Sequence, residues 1–270
     1  MRFLISNDDG VFAPGLLALY EALSKIGEVV VVAPDSEQSG SASALSVVKP
    51  LYPQKLASGF VAVNGSPADC IYLALHELFA DVKFDWVISG INSGANFGQD
   101  VLFSGTFGAA ATAQMFGVPA MAVSLAMVAT VGCGQDLAKY YESAADEIVT
   151  LLGHHELMAG FKNLPYHVLN VNIPDRSACD IKGQKITALG HRSLLNPVHK
   201  LIDPRGREAY WLSLKKDPNV SDERIQATPY LAMTDAEAVA AGWVSLSPVR
   251  LPYVPSQSLY ELDALLNNYD

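Results

Sequence analysis

Short apolar runs alternate with stretches of helical spacing through the first half of the chain. Phe3-Leu4-Ile5 reads as a strand. Behind it Pro14-Gly15 opens a helix in which Leu16, Tyr20 and Leu23 recur at i, i+4 and i+7, one helical face, and Gly27 ends it. Val29 to Ala33 is apolar on both faces, as a central parallel strand must be. Phe60 to Val63 is a weaker third run. Ile71, Leu75, Leu78 and Phe79 mark a helix face within Ala68 to Phe79. Trp86 to Ser89 reads as a strand, Ala-rich Thr106 to Phe116 as a helix closed by Gly117, and Met121 to Ser124 as a strand again. A long helix over Asp136 to Leu152 and a strand over His167 to Ile173 complete the series. This βαβα alternation predicts an α/β fold: a doubly wound, mostly parallel sheet with right-handed crossovers.

The pattern changes after about Pro174. Residues 184–214 read as strand segments, with Asp203-Pro204-Arg205-Gly206 as a turn between them. Ala209 to Leu212 is one hairpin arm. A small polar helix (Asp235 to Ala241), a late strand (Trp243 to Leu246) and a final helix (Ser256 to Asn267) follow. The chain thus divides into an α/β core, residues 1–183, and a C-terminal extension, residues 184–270. The extension comprises a β-hairpin arm, a strand returning to the core and a terminal helix. An arm projecting from an α/β core suits oligomerisation. No internal repeat or low-complexity linker is visible.

Composition narrows the partners. The chain has 270 residues, half of them hydrophobic and 17% charged, with a net charge of −10. That field repels nucleic-acid polymers, and no Lys/Arg-rich run opposes it locally. The cysteines Cys70, Cys133 and Cys179 form no CxxC pair and no zinc spacing; Cys70 fits a small buried helical residue. No run of about 18 apolar residues offers a membrane span. The start MRFLIS is a strand rather than a signal peptide. A cytoplasmic protein is expected.

Chemistry concentrates in three loops behind predicted strands. The first is Ser6-Asn7-Asp8-Asp9-Gly10. Two adjacent carboxylates repel each other and invite a cation; an Asx turn is the competing reading, since Asp-Gly is a common turn pair. The second, Ala33 to Ser43, is rich in hydroxyls that suit a metal or phosphate, or a surface loop. The third runs from Ser89-Gly90-Ile91-Asn92 through Asn96 to Ser104-Gly105-Thr106. Its last residues start a helix, where free amides make an anion site and Ser104 or Thr106 serves as an N-cap; both readings hold together. There is no GxGxxG, GxxxxGK[ST] or GxSxG. The six histidines are scattered, with His154-His155 at the end of a predicted helix. An oxygen-rich site of this kind selects Mg²⁺, Mn²⁺ or Ca²⁺ over zinc.

Taken together, SNDDG with its following PG, APDSEQSGSASALS and SGINSGANFGQDVLFSGTFGAA resemble the SurE family of stationary-phase survival proteins. NVNIP (Asn170 to Pro174), DPRG (Asp203 to Gly206) and TDAEAVAAGWVSLSP (Thr234 to Pro248) are similar as well, so the likeness spans nearly the whole chain in order. It departs in Gly65-Ser66-Pro67-Ala68-Asp69, where members often carry Gly-Thr-Pro, and in Ala113-Gln114, where a glutamate is common.

The resemblance implies a Rossmann-like fold, with a C-terminal extension exchanged between subunits of a homodimer or homotetramer. It also implies a metal-dependent nucleotidase acting on nucleoside 5′- and 3′-monophosphates and, in some members, on short polyphosphate. The metal ligands fall by motif position on Asp8, Asp9, Ser39 and Asn92, holding one divalent ion per subunit, Mn²⁺ or Mg²⁺. Asp8, Asp9 and Asn92 are the expected catalytic residues. Asn7, Gly40, Asn96, Ser104, Gly105 and Thr106 are the expected substrate contacts.

The mechanism expected is hydrolysis by a water that the ion orients or acidifies, with the Ser104–Thr106 segment stabilising phosphoryl charge. A non-catalytic nucleotide-binding regulatory module and a metal-dependent hydrolase of another bond are the alternatives.

Overall fold

A computed structural model describes residues 1–127, 137–191, 197–213, 223–224, 233–251 and 262–266. The first half contains β1 (Arg2–Ser6), α1 (Pro14–Ser24), β2 (Glu28–Pro34), β3 (Pro53–Lys55), β4 (Val61–Val63), α2 (Pro67–Leu73), β5 (Trp86–Ser93), α3 (Gly105–Met115) and β6 (Ala120–Ala126). Then come α4 (Leu137–Gly153), α5 (His155–Lys162), β7 (His167–Pro174), β8 (Gln184–Ile186) and β9 (Gly190–His191). The last elements are β10 (Val198–Ile202), β11 (Glu208–Leu212), β12 (Glu223–Arg224), α6 (Asp235–Ala240) and β13 (Val244–Arg250).

The expected mostly parallel sheet is present, with nine strands in the order β3-β4-β2-β1-β5-β6-β7-β13-β8. β4, β2, β1, β5, β6 and β7 run parallel; β3 and β13 pair antiparallel to their neighbours β4 and β7. The chain winds outward from β1 to β2 and β4, then crosses back to β5 on the other side of β1. The switch point therefore lies between the carboxyl ends of β1 and β5, where open α/β sheets bind ligands.

Alternation along the strands separates two cores. Phe3 and Ile5 join Leu16, Leu19, Ile148 and Leu151 on one face. Leu4 and Val87 join Ile71, Ala109 and Ala113 on the other. The alanines of α3 have a physical reason: nearly the whole helix is buried against the sheet, and small side chains let it lie close. Cys70 is fully buried, and burial pushes its thiol well up, away from thiolate chemistry; Cys179 is exposed, and Cys133 lies outside the described residues.

Several elements differ from expectation. His154-His155 does not end a helix: α4 closes at Gly153 and His155 opens α5, anchored by buried Met158 and Phe161. The helix expected over Ala68 to Phe79 loosens into a π-turn at Ala74–Leu78. β3 is exposed throughout and carries no apolar alternation to announce it. Of the final helix, only residues 262–266 are described, and they are helical. β8 and β13, from beyond residue 183, complete the main sheet, while β10 and β11 form the expected hairpin as a separate antiparallel pair.

Candidate functional site

The acidic pair follows β1 directly, at the switch point. Asp8 is almost wholly buried. Its Oδ1 accepts a hydrogen bond from Thr106 Oγ1 at 2.5 Å. A Cβ on Gly105 would stand 3.0 Å from Asp8 Oδ2, so the carboxylate lies against the first turn of α3. Burial pushes the Asp8 carboxyl up to about 6, opposed by the Thr106 hydroxyl and reinforced by Asp9. Asp9 Oδ2 accepts the Ser93 amide at 2.9 Å, a bond from the end of β5. Its carboxyl is also raised, first by burial, with the Ser93 amide opposing and Glu37 adding repulsion. Buried Tyr141 of α4 also feels Asp9: burial and that charge push its phenol up.

Two backbone amides bond to this pair beside the other expected ligands. Gln38 donates its amide to the Asp8 carbonyl at 2.7 Å, and Ser39 is the next residue. Asn92 immediately precedes Ser93, which is bonded to Asp9. Asn92 follows a register irregularity in β5 between Ser89 and Asn92, the kind of bulge that re-aims a side chain. Its Nδ2 donates to the Gly94 carbonyl at 2.7 Å, which fixes the orientation of the amide. Ser39 is exposed, and its hydroxyl donates to Glu37 Oε1 at 3.0 Å.

The expected substrate contacts divide. Gly40 is exposed at positive φ, with open space around a hypothetical Cβ. Ser104 is the N-cap of α3, accepting the Phe107 amide at 3.0 Å. The Gly105 amide has no acceptor among the described residues. Thr106 is fully buried and commits its hydroxyl to Asp8; it positions a carboxylate rather than offering that hydroxyl to a ligand. Asn7 is fully buried too. Its Nδ2 donates to the Gly10 carbonyl at 3.0 Å, and its Oδ1 accepts the Gly10 amide at 3.2 Å. Both polar atoms of the Asn7 side chain thus bond within the acidic turn.

Asn96 is likewise turned inward. Its Nδ2 donates to Ser124 Oγ, its amide to Asn172 Oδ1, and its carbonyl accepts from Asn170 and Asn172. These contacts pin the loop between β5 and α3 to β6 and β7. The signal for this seam was in VLNVNIP: two asparagines at alternate positions of an apolar central strand, both buried. The contacts of Ser93 and Tyr141 carried no comparable sequence signal.

No cationic side chain forms an ion pair with Asp8 or Asp9 among the described residues. Two desolvated carboxylates with Glu37 beside them leave negative charge uncompensated, and the nearby side-chain donors are all oxygens. This set fits a hard divalent cation.

Residues 3–196 match the family model described as Survival protein SurE. A protein named 5′-nucleotidase SurE from Psychrobacter cryohalolentis is 60% identical over 268 residues, covering 98% of this chain and 100% of that one. One of the same name from Acinetobacter baylyi is 46% identical over 257 residues, 93% and 94% of the two chains. The crystal structure of the SurE protein from Aquifex aeolicus superposes with a TM-score of 0.80 at 34% identity, covering 99% of this chain and all of that one.

Proposed function

This chain belongs to the SurE family, and from that premise we propose that its strand-end site is a nucleotidase centre. It is a phosphoric monoester hydrolase that acts on nucleoside 5′-monophosphates and depends on one divalent ion per subunit, Mn²⁺ or Mg²⁺. The finer reading extends the substrates to 3′-monophosphates and short polyphosphate. The observation that carries the metal is the buried, uncompensated pair Asp8–Asp9 at the switch point.

Asp8 and Asp9 would hold the ion, with Ser39 and Asn92 completing an oxygen shell. Bound there, it would supply Lewis-acid polarisation and a water of lowered pKa. The chain's own residues do the rest. Thr106 keeps Asp8 in one orientation, and the Ser93 amide keeps Asp9 in another. The Gly105 amide, at the positive end of α3, faces developing phosphoryl charge. The rigid turn made by Asn7 and Gly10 keeps these groups from relaxing away from each other.

The core of residues 1–183 carries this chemistry, and the extension of residues 184–270 serves assembly into a homodimer or homotetramer. Trp211, Leu212 and Ile202 on the hairpin, all exposed, are the surface that a second copy would cover. No described helix is long and apolar enough to cross a membrane, and the proposed setting is the cytoplasm.

The test is release of inorganic phosphate from a panel of nucleoside 5′- and 3′-monophosphates, with and without chelator. Release that stops in EDTA and returns with Mn²⁺ or Mg²⁺ is expected. Binding without release would favour a regulatory module, and full activity in excess EDTA would remove the metal from the account.

A further inference from the structure

The loop that feeds α3 is held from the far end of the chain. Asp235, the first residue of α6, is fully buried. Its Oδ2 accepts the Gly98 amide at 2.7 Å. Its Oδ1 accepts the Gly190 amide and the Ala236 amide, both at 3.0 Å. Gly98 begins the 3-10 turn Gly98–Leu102, which runs directly into Ser104 and the first turn of α3. Gly98 has φ +54, and a Cβ on it would stand 2.0 Å from the Gly190 carbonyl oxygen. The two backbone segments therefore touch at a glycine, with one carboxylate bridging their amides.

A buried carboxylate is expensive unless its hydrogen bonds are made. Helix α6 does not require it, because Thr234 and Glu237 already form a complete capping box. Besides accepting the Ala236 amide of its own helix, the Asp235 carboxylate joins the loop to the Gly190 segment. Two residues earlier in that loop, Asn96 is fixed to β6 and β7. Between that point and Ser104, Asp235 Oδ2 holds the Gly98 amide, and the Phe103 carbonyl accepts the Ala42 amide at 3.2 Å.

We infer that Asp235 is a positioning residue for phosphoryl binding, setting the approach of the Gly98–Ser104 segment so that the α3 amides meet the substrate. This rests on the nucleotidase reading above. Asp9 is held from β5, and Asp8 by Thr106 on a helix that is itself fixed by burial along nearly its whole length. Loss of the clasp therefore weakens substrate binding while sparing the ion.

Asp235→Asn tests it in the full-length chain. The amide nitrogen of asparagine cannot accept, so one of the bridged backbone amides loses its partner. The expected result is a KM for a nucleoside 5′-monophosphate raised by roughly tenfold, the scale of one lost hydrogen bond to a charged group. Mn²⁺ affinity measured by calorimetry without substrate should stay within about twofold.

Gly98→Ala strains the same contact from the loop side and should give the same selective defect. Binding of inorganic phosphate to the Mn²⁺-loaded protein repeats the comparison without turnover. It tests the clasp even if the wild type proves to release no phosphate, the result that would defeat the nucleotidase reading. Unchanged KM and phosphate binding in both variants, or Mn²⁺ affinity falling in step with them, overturns the clasp. So does failure of both variants to fold, which would make Asp235 a stability residue alone.

Discussion

Asp8→Asn should make the metal-free protein more stable while abolishing its activity. The carboxyl of Asp8 is raised from an ordinary 3.8 to about 6, chiefly by burial. A carboxyl in that condition binds its proton more tightly in the folded state than in the unfolded chain. Folding stability therefore falls as pH rises from about 4 to about 6, and remains at the lowered level above that. The gap between the two values corresponds to about 3 kcal/mol at neutral pH.

Asparagine is nearly isosteric, keeps an oxygen to accept from Thr106 and carries no charge to desolvate. Urea unfolding in EDTA at pH 7.5 should show the variant more stable by up to about 3 kcal/mol. At pH 4 the difference should nearly vanish. Added Mn²⁺ should reverse the order by stabilising wild type alone. A variant no more stable than wild type at pH 7.5, or a gap that ignores pH, would refute the reasoning.

Thr106→Val removes the donor to Asp8 and should lower kcat/KM by roughly tenfold to a hundredfold; Thr106→Ser should restore most of it, and steady-state kinetics with matched circular dichroism distinguish the two. Gly108→Val places a side chain where a Cβ would meet the Ala42 carbonyl oxygen at 2.0 Å. It should displace the loop carrying Ser39 and cost about 1–3 kcal/mol in denaturant unfolding. Trp211→Asp on the exposed hairpin should shift the protein toward monomer in sedimentation velocity with its circular dichroism unchanged; an unaltered oligomer would move the interface elsewhere.

The first half of the sheet was legible because its strands are short apolar runs separated by helical spacing. The candidate site was legible because Asp8-Asp9-Gly10 interrupts the first of those runs at its carboxyl end. What sequence could not supply was which polar side chains face inward. Asn7, Asn96 and Thr106 have the composition of ligand contacts, yet each satisfies a buried partner created by the fold.

Burial of polar atoms depends on neighbours distant in sequence, so residue type alone does not separate a donor to substrate from a donor to a carboxylate. Asp235 was hidden for the same reason. It sits inside a motif noticed only by resemblance, and its bond to Gly98 spans 137 positions. α5 and β3 escaped because one has only two buried apolar residues and the other none.

The central claim is that Asp8 and Asp9 bind one divalent ion without which no phosphate is released. Titrating Mn²⁺ into the chelator-stripped protein, with free Mn²⁺ read by electron paramagnetic resonance and phosphate release from a nucleoside 5′-monophosphate measured in the same samples, tests it directly. The account predicts activity rising in proportion to bound Mn²⁺ and saturating at one ion per chain, with neither binding nor release in Asp9→Asn. Phosphate release by the stripped protein at the rate of the loaded one would contradict it.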